Sequence, residues 1–249
     1  MTIVLLISAA ALLYATAQSN RQEAPTLVSN QPKSTSEDPE SEEKFDTTLY
    51  SIDDPESIWV IVNKQRPLQP MTYTPTDLVV PDVPLRVPGH ESMKVRAEVG
   101  NAVEQMFMAA EASGIELMLS SAFRSYSFQE TLYTGYVRSQ GQAQADTQSA
   151  RPGYSEHQTG LAVDIISTKR ICDLEQCFGE TEEGKWLAEN AVRFGFILRY
   201  TQDNQSTAGY SYEPWHFRYV GNELAQELQS KDVTTLEEFF NTGAAPDYN

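Results

Sequence analysis

The stretch from Gly153 to Asp164, G-Y-S-E-H-Q-T-G-L-A-V-D, constrains this chain more than any other. A loop carrying His157 passes through a glycine-containing turn directly into a short apolar run, so His157 and Asp164 are held on either side of one turn. Leu161 to Ile166 reads as a strand whose inward neighbours fix Asp164 rigidly at its middle. Only three histidines occur in the chain, and a second, His216, lies in Y-E-P-W-H-F-R-Y with Glu213 three residues before it. Two imidazoles and a carboxylate are a sufficient protein ligand set for a catalytic zinc ion, with a fourth position left to water. A further carboxylate would then be placed to take the proton from that water. Spacing alone leaves the plainer reading open, in which the histidines are satisfied structural residues and Asp164 simply ends a strand.

A chain of 249 residues is long enough for one substantial domain with a hydrophobic core. Its 35 acidic and 18 basic residues give a formal charge of -17. No basic stripe is present to displace counterions, which argues against a nucleic-acid partner. The first 17 residues carry no charged side chain and end in Ala15-Thr16-Ala17, a small-x-small pattern suited to signal peptidase. Residues 1–17 are therefore expected to be a signal peptide or an uncleaved membrane anchor, either of which places the remainder outside the cytoplasm; a buried strand or helix is the plainer reading, disfavoured by the long polar segment that follows. Cys172 and Cys177 fit such a location, because an oxidising compartment lets them pair. Metal ligation by these thiols is the alternative, disfavoured because two histidines and an aspartate already complete a set.

Residues 18–56 are rich in Ser, Gln, Pro, Asp and Glu and read as a disordered acidic linker. The folded domain is expected over 57–240, with 241–249 as a flexible tail. Its first segment, I-W-V-I-V from Ile58, is a strand or an apolar plug. Pro67, Pro70, Pro75, Pro81, Pro84 and Pro88 then disfavour a continuous helix or central strand. This reads as an arm over the domain surface anchored by Leu68, Leu78, Val79, Val80 and Leu85. From Glu91 to Ala112, Val95, Val99, Val103, Met106 and Ala110 recur at helical spacing, and Gly114 supplies the stop. Ile115 to Leu119 reads as a buried strand. Ser127 and Glu130 suggest a capping box for the next helix, which fades through 141–149. Thr181 caps a helix running to Arg193, and F-G-F-I-L-R-Y and W-H-F-R-Y-V are strands. Helices from Asn222 to Leu228 and around Leu236 to Phe240 close the chain. The result is an α+β domain with a small, mostly antiparallel sheet and flanking helices.

Three ordered motifs, S-A-F-R-S-Y-S-F-Q, S-E-H-Q-T-G-L-A-V-D-I and E-P-W-H-F-R-Y-V-G, together resemble the VanY-type zinc D-alanyl-D-alanine carboxypeptidases. That peptidase family also includes LD-carboxypeptidases acting on cell-wall peptides. The resemblance extends over roughly Glu91 to Leu228. It implies one zinc ion held by His157, Asp164 and His216, with Glu213 as catalytic base. It carries the family arginine onto Arg124, a glutamine onto Gln129 and a serine onto Ser155. A tyrosine often found before the arginine is Phe123 here. Arginine's rigid fork suits either a terminal carboxylate or a developing oxyanion, so Arg124 is assigned to one of these, with a plain ion pair to Asp146 or a nearby glutamate as the alternative.

The remaining candidates are less constrained. Gln129 is expected to hydrogen-bond substrate or support the site, with a solvated first-turn glutamine as the alternative, and Ser155 to bind peptide backbone or turn the loop. Tyr154 and Trp215 are expected to wall the cleft, with support packing beside the site as the alternative. Arg218, on the same strand face as His216, is expected to orient Glu213, bind substrate or lie at the surface, and His90 is given no role. The resulting expectation is an exported, monomeric zinc carboxypeptidase that removes the terminal D-alanine from peptidoglycan stem peptides. LD specificity on tetrapeptide stems and a non-catalytic zinc-containing wall-binding module are the alternatives.

Overall fold

The apolar run after His157 is a strand, Ala162–Ser167, buried at every residue. The computed structural model describes residues 44–248, so the proposed signal or anchor over 1–17 and most of the linker lie outside the described residues. In chain order, a short ribbon of β1 (Leu78–Val79) and β2 (Val95–Arg96) precedes helix α1 (Ala97–Ala112) and strand β3 (Leu117–Ser121). Helices α2 (Tyr126–Gln140) and α3 (Gln142–Gln148) lead to β4 (Ala162–Ser167). Then follow α4 (Glu182–Asn190), β5 (Phe196–Leu198), α5 (Gln205–Ala208), β6 (His216–Tyr219), α6 (Asn222–Ser230) and α7 (Leu236–Phe239).

The main sheet has the order β3-β4-β6-β5 and every pair in it is antiparallel. This is the expected α+β domain. Alternation along β4 sends Val163 and Ile165 into the core, where they meet Val99, Val103, Met106 and Ala110 of α1 together with Leu119 and Phe217. Asp164 consequently projects from the other face of the sheet.

Several local expectations shift. Helix α1 begins at Ala97, not Glu91, because Val95 and Arg96 pair with β1 and the Arg96 N–H donates to Gly160 O at 3.1 Å. Ser125 rather than Ser127 caps α2, its Oγ accepting from the Phe128 N–H. The segment expected to fade instead forms α3. Of the proposed arm anchors, Leu68 is buried but Val79 and Val80 are exposed. Backbone pairing does that work instead, with Leu119 N–H to Pro84 O at 2.8 Å and Arg86 N–H to Leu119 O at 2.9 Å.

Ile58 to Val62 form a buried plug rather than a strand, and Trp59 Nε1 donates to Val220 O at 2.9 Å. The end of the linker also packs. Phe45 stacks on Trp59 at 5.6 Å between centroids, and Ile52 O accepts from the Ile61 N–H. These two are among the few apolar groups of that segment, and each finds a core partner. The tail is likewise held: Ala245 is buried and its N–H donates to Thr207 O, and Lys64 Nζ donates to Pro246 O at 2.9 Å.

Candidate active site

Two strands and one turn bring the sequence-separated ligands together. Asp164 and His216 are direct partners in the β4–β6 register. On the other side, Ser121 lies opposite Asp164 after a bulge in β3, and the chain continues from there to Arg124. His157 comes from a single 3-10 turn, Glu156–Thr159, closed by Gly160 at φ 70°. A Cβ at Gly160 would meet the Arg96 backbone nitrogen at 3.3 Å and its Cγ at 3.0 Å, so glycine is required there both for its φ and for the close approach.

The ligand atoms of His157, Asp164 and His216 all lie within 4.8 Å of one another, and all three residues are buried. Asp164 Oδ1 is 3.3 Å from His157 Nε2 and 3.2 Å from His216 Nδ1. That oxygen has no hydrogen-bond partner, an orphaned buried carboxylate atom of the kind a metal ion satisfies. The other ends of the ligands are occupied. His157 Nδ1 donates to Ala122 O at 2.6 Å, leaving Nε2 for the metal, and Arg124 Nη2 donates to Asp164 Oδ2 at 2.7 Å. His216 Nε2 lies 3.4 Å from Glu156 Oε2, leaving its Nδ1 for the metal. Donor type, clustering and outer partners fit one zinc ion.

The electrostatics divide the cluster between two imidazoles shifted in opposite directions and an ionised carboxylate. Burial and the Arg124 charge lower the His157 pKa to about 4. Burial also opposes protonation of His216, but its contacts with Asp164 and Glu156 carry it up to about 9. For Asp164, burial works against ionisation, yet His157 above all, with His216 and Arg124, holds the carboxyl well below the usual carboxylate range. Glu213 Oε2 lies 3.8 Å from His216 Nδ1, and burial pushes its carboxyl up to about 7 against the pull of His216.

Behind His216 lies a layer of paired charges. Glu156 Oε1 accepts from Arg199 Nε and from Arg218 Nη1, both at 2.9 Å, and both arginines are fully buried. Arg199 also holds Glu237 of α7 through two bonds, at 2.9 and 2.6 Å. Arg218 directs its other donors at Tyr219 O, Ile58 O and Val60 O. Arg218 is thus neither bonded to Glu213 nor among the residues that line the cleft described below; its partners are Glu156, the Tyr219 carbonyl and the plug.

A cleft of about 660 Å³ opens onto the ligand cluster. Residues 92–222 match the family described as VanY, D-alanyl-D-alanine carboxypeptidase. The chain belongs to this family. Among similar proteins, the putative carboxypeptidase YodJ of Bacillus subtilis (strain 168) is 43% identical over 77% of this chain and 70% of its own length. The solved LdcB LD-carboxypeptidase is 43% identical with a TM-score of 0.71, covering 75% of this chain and 87% of that one. The vancomycin-resistance D,D-pentapeptidase VanY of a VanB-type cassette, solved with Zn(II), is 32% identical with a TM-score of 0.59. It covers 73% of this chain and 98% of that one. Like the VanY family at large, the protein is a zinc-dependent enzyme whose single site is built from His157, Asp164 and His216.

The structure sorts the other candidates of this VanY-family site. Arg124, Ser155, Glu213 and Trp215 line the cleft. Asp146 pairs with Arg151, so the plain ion pair considered for Arg124 is not formed. Gln129 is buried away from the cleft lining, its Nε2 donating to Ala150 O at 2.7 Å and to Ser149 Oγ at 3.2 Å; it holds a loop. Tyr154 packs edge-on against Tyr248 and also lies outside the lining. Cys172 and Cys177 form a disulfide. Sequence reasoning missed Tyr200 and Tyr210, which line the cleft, and the chain of charges from Glu156 through Arg199 to Glu237 that supports His216. The adjacency of Glu156 to His157 was the available signal.

Proposed function

We propose that this protein is an LD-carboxypeptidase that removes the terminal D-alanine from tetrapeptide stems of peptidoglycan, outside the cytoplasm. The observation carrying this reading is the likeness to LdcB, closer in both identity and TM-score than the likeness to the D,D-pentapeptidase. It reorders the expectation from sequence, which put DD specificity first. The second reading, DD-carboxypeptidase action on pentapeptides, is favoured by the family description itself. The non-catalytic module is set aside, since a structural site has no use for a carboxylate beside the ligands such as Glu213. Among the described residues no helix is long and apolar enough to cross a membrane, and residues 1–17 remain the proposed export signal or anchor.

His157, Asp164 and His216 would hold the ion. When bound, zinc polarises the scissile carbonyl and lowers the pKa of a water in the site. Glu213 accepts the proton of the attacking water and returns it to the leaving amine as the C–N bond breaks, giving a shortened peptide acid and free D-alanine. A carboxyl held near neutrality by burial suits both transfers. Arg124 is anchored on Asp164 Oδ2 and braced by Ser121 Oγ at 3.1 Å, so its guanidinium borders the ligand atoms. We assign it to the charge that develops on the carbonyl oxygen.

Mass analysis of zinc-loaded protein incubated with stems ending in an L-centre followed by D-alanine, and with stems ending in D-Ala-D-Ala, tests the assignment. Loss of one alanine from the tetrapeptide alone is expected. Loss from the pentapeptide alone would move the protein to the DD class.

A further inference from the structure

The segment between β4 and α4 contributes Leu174, Glu175, Gln176 and Cys177 to the cleft lining. Its backbone is unusual: Arg170, Cys172 and Leu174 all have positive φ, at 54°, 55° and 56°, a region L side chains rarely adopt. Such a path persists only when its surroundings over-determine it. Three features do so here. Asp173 is gripped by Arg86 at 3.0 Å and by Arg170 at 2.7 Å. Phe178, the next residue after the lining, is fully buried. The disulfide ties Cys172, just before Asp173 and packed against the core, to Cys177 at the cleft.

We infer that the Cys172–Cys177 loop is a specificity wall, stapled in a binding-ready shape to receive the part of the peptide that precedes the cleaved bond. The inference rests on the carboxypeptidase reading above. A carboxypeptidase leaves one residue beyond the scissile bond, and a cleft of about 660 Å³ is far larger than an alanine. The preceding residues must fill the rest. The wall offers them an apolar Leu174, the amide of Gln176 and the carboxylate of Glu175, whose side chain has no cationic partner among the described residues. A loop already held in its bound shape need not be ordered when the peptide arrives, and the difference appears in KM.

The test is steady-state kinetics of the zinc-loaded full chain with a stem tetrapeptide and with an N-acyl dipeptide carrying the same terminal pair. In the Cys172→Ser/Cys177→Ser protein, KM for the tetrapeptide is expected to rise about fivefold, with a smaller loss in kcat and a smaller KM change for the dipeptide. A general structural defect would instead reduce both substrates alike, and that result overturns the inference, as does an unchanged tetrapeptide KM. Zinc content and thermal midpoint establish that the variant folds. Should it not, Leu174→Ala with the disulfide intact carries the same comparison: a KM rise selective for the tetrapeptide supports the wall, and an equal or absent effect overturns it. If wild type releases no alanine from either substrate, the carboxypeptidase reading fails separately. Calorimetric tetrapeptide binding then decides the wall: weaker binding by the variant supports it, equal binding overturns it.

Discussion

Replacing Glu156 by glutamine keeps the shape of the side chain and removes one buried negative charge. Its consequences divide between stability and metal affinity. Arg199 retains its two bonds to Glu237, so it is not left without an anion. Arg218 keeps the carbonyls of Tyr219, Ile58 and Val60 but loses its one carboxylate partner among the described residues. Removing one partner of a buried pair costs about 3 to 5 kcal/mol, and the surviving carbonyl acceptors place this case near the lower figure. For a domain of this size about 3 kcal/mol corresponds to a fall of roughly 6 to 12 °C in Tm. His216 also loses the carboxylate beside its Nε2, and loss of such an outer partner weakens metal binding by roughly 10- to 100-fold.

The pH dependence is fixed by sign. Burial works against ionisation of Glu156, but Arg199 and Arg218 outweigh it and hold the carboxyl far below the ordinary glutamate range. A depressed folded-state pKa contributes stability that is present above the unfolded value and lost as pH falls through the folded one. The part of the Glu156→Gln penalty that comes from the arginine pairs should therefore be full above about pH 5 and shrink only in stronger acid, whereas the part that runs through protonated His216 fades in the metal-free protein as pH rises towards 9. Thermal melts across that range, with zinc affinity from competition against a chromogenic chelator, measure both effects. A variant with wild-type Tm and wild-type zinc affinity would refute the reasoning.

Four other substitutions separate the roles within the site. His157→Ala and His216→Ala should each lose zinc and turnover together, read by metal analysis alongside alanine release. Glu213→Gln should keep zinc while turnover falls by about 10²- to 10⁴-fold; normal turnover would remove Glu213 from the role of base. Arg124→Lys should lower kcat by about 10²-fold or more with a smaller change in KM. The opposite split, a KM effect with kcat retained, would assign Arg124 to the terminal carboxylate instead.

The ligand set was legible in the sequence because histidine is scarce here and the family motifs are ordered. The turn at Gly160, the strand at Ala162–Ser167 and the cap at Thr181 were legible for local reasons, since glycine, apolar runs and threonine act over a few residues. What escaped was long-range. Gln129 sits in a first helical turn, as a substrate-facing residue would, yet it turns inward to a loop some twenty positions later. Arg218 alternates with the site-facing residues of β6, and only the fold brings Glu156 and the plug carbonyls to it. The start of α1 escaped for the same reason, because Val95 and Arg96 satisfy helical spacing but are captured by β1.

These long-range partners also explain why order extends beyond the family-matched segment. The matched residues, 92–222, contain every metal ligand, Glu156 and both buried arginines. They do not contain what neutralises those arginines fully. Glu237 and the carbonyls of Ile58 and Val60 lie outside, and Asn63 Nδ2 reaches across to Glu237 Oε1 at 2.9 Å. Without them Arg199 and Arg218 would share a single carboxylate in a buried setting, where unpaired charge is strongly unfavourable. The same carboxylate supports His216. The plug and the C-terminal helix are thus part of the apparatus that lets Glu156 serve the metal ligand, although neither contributes a residue to the lining of the cleft.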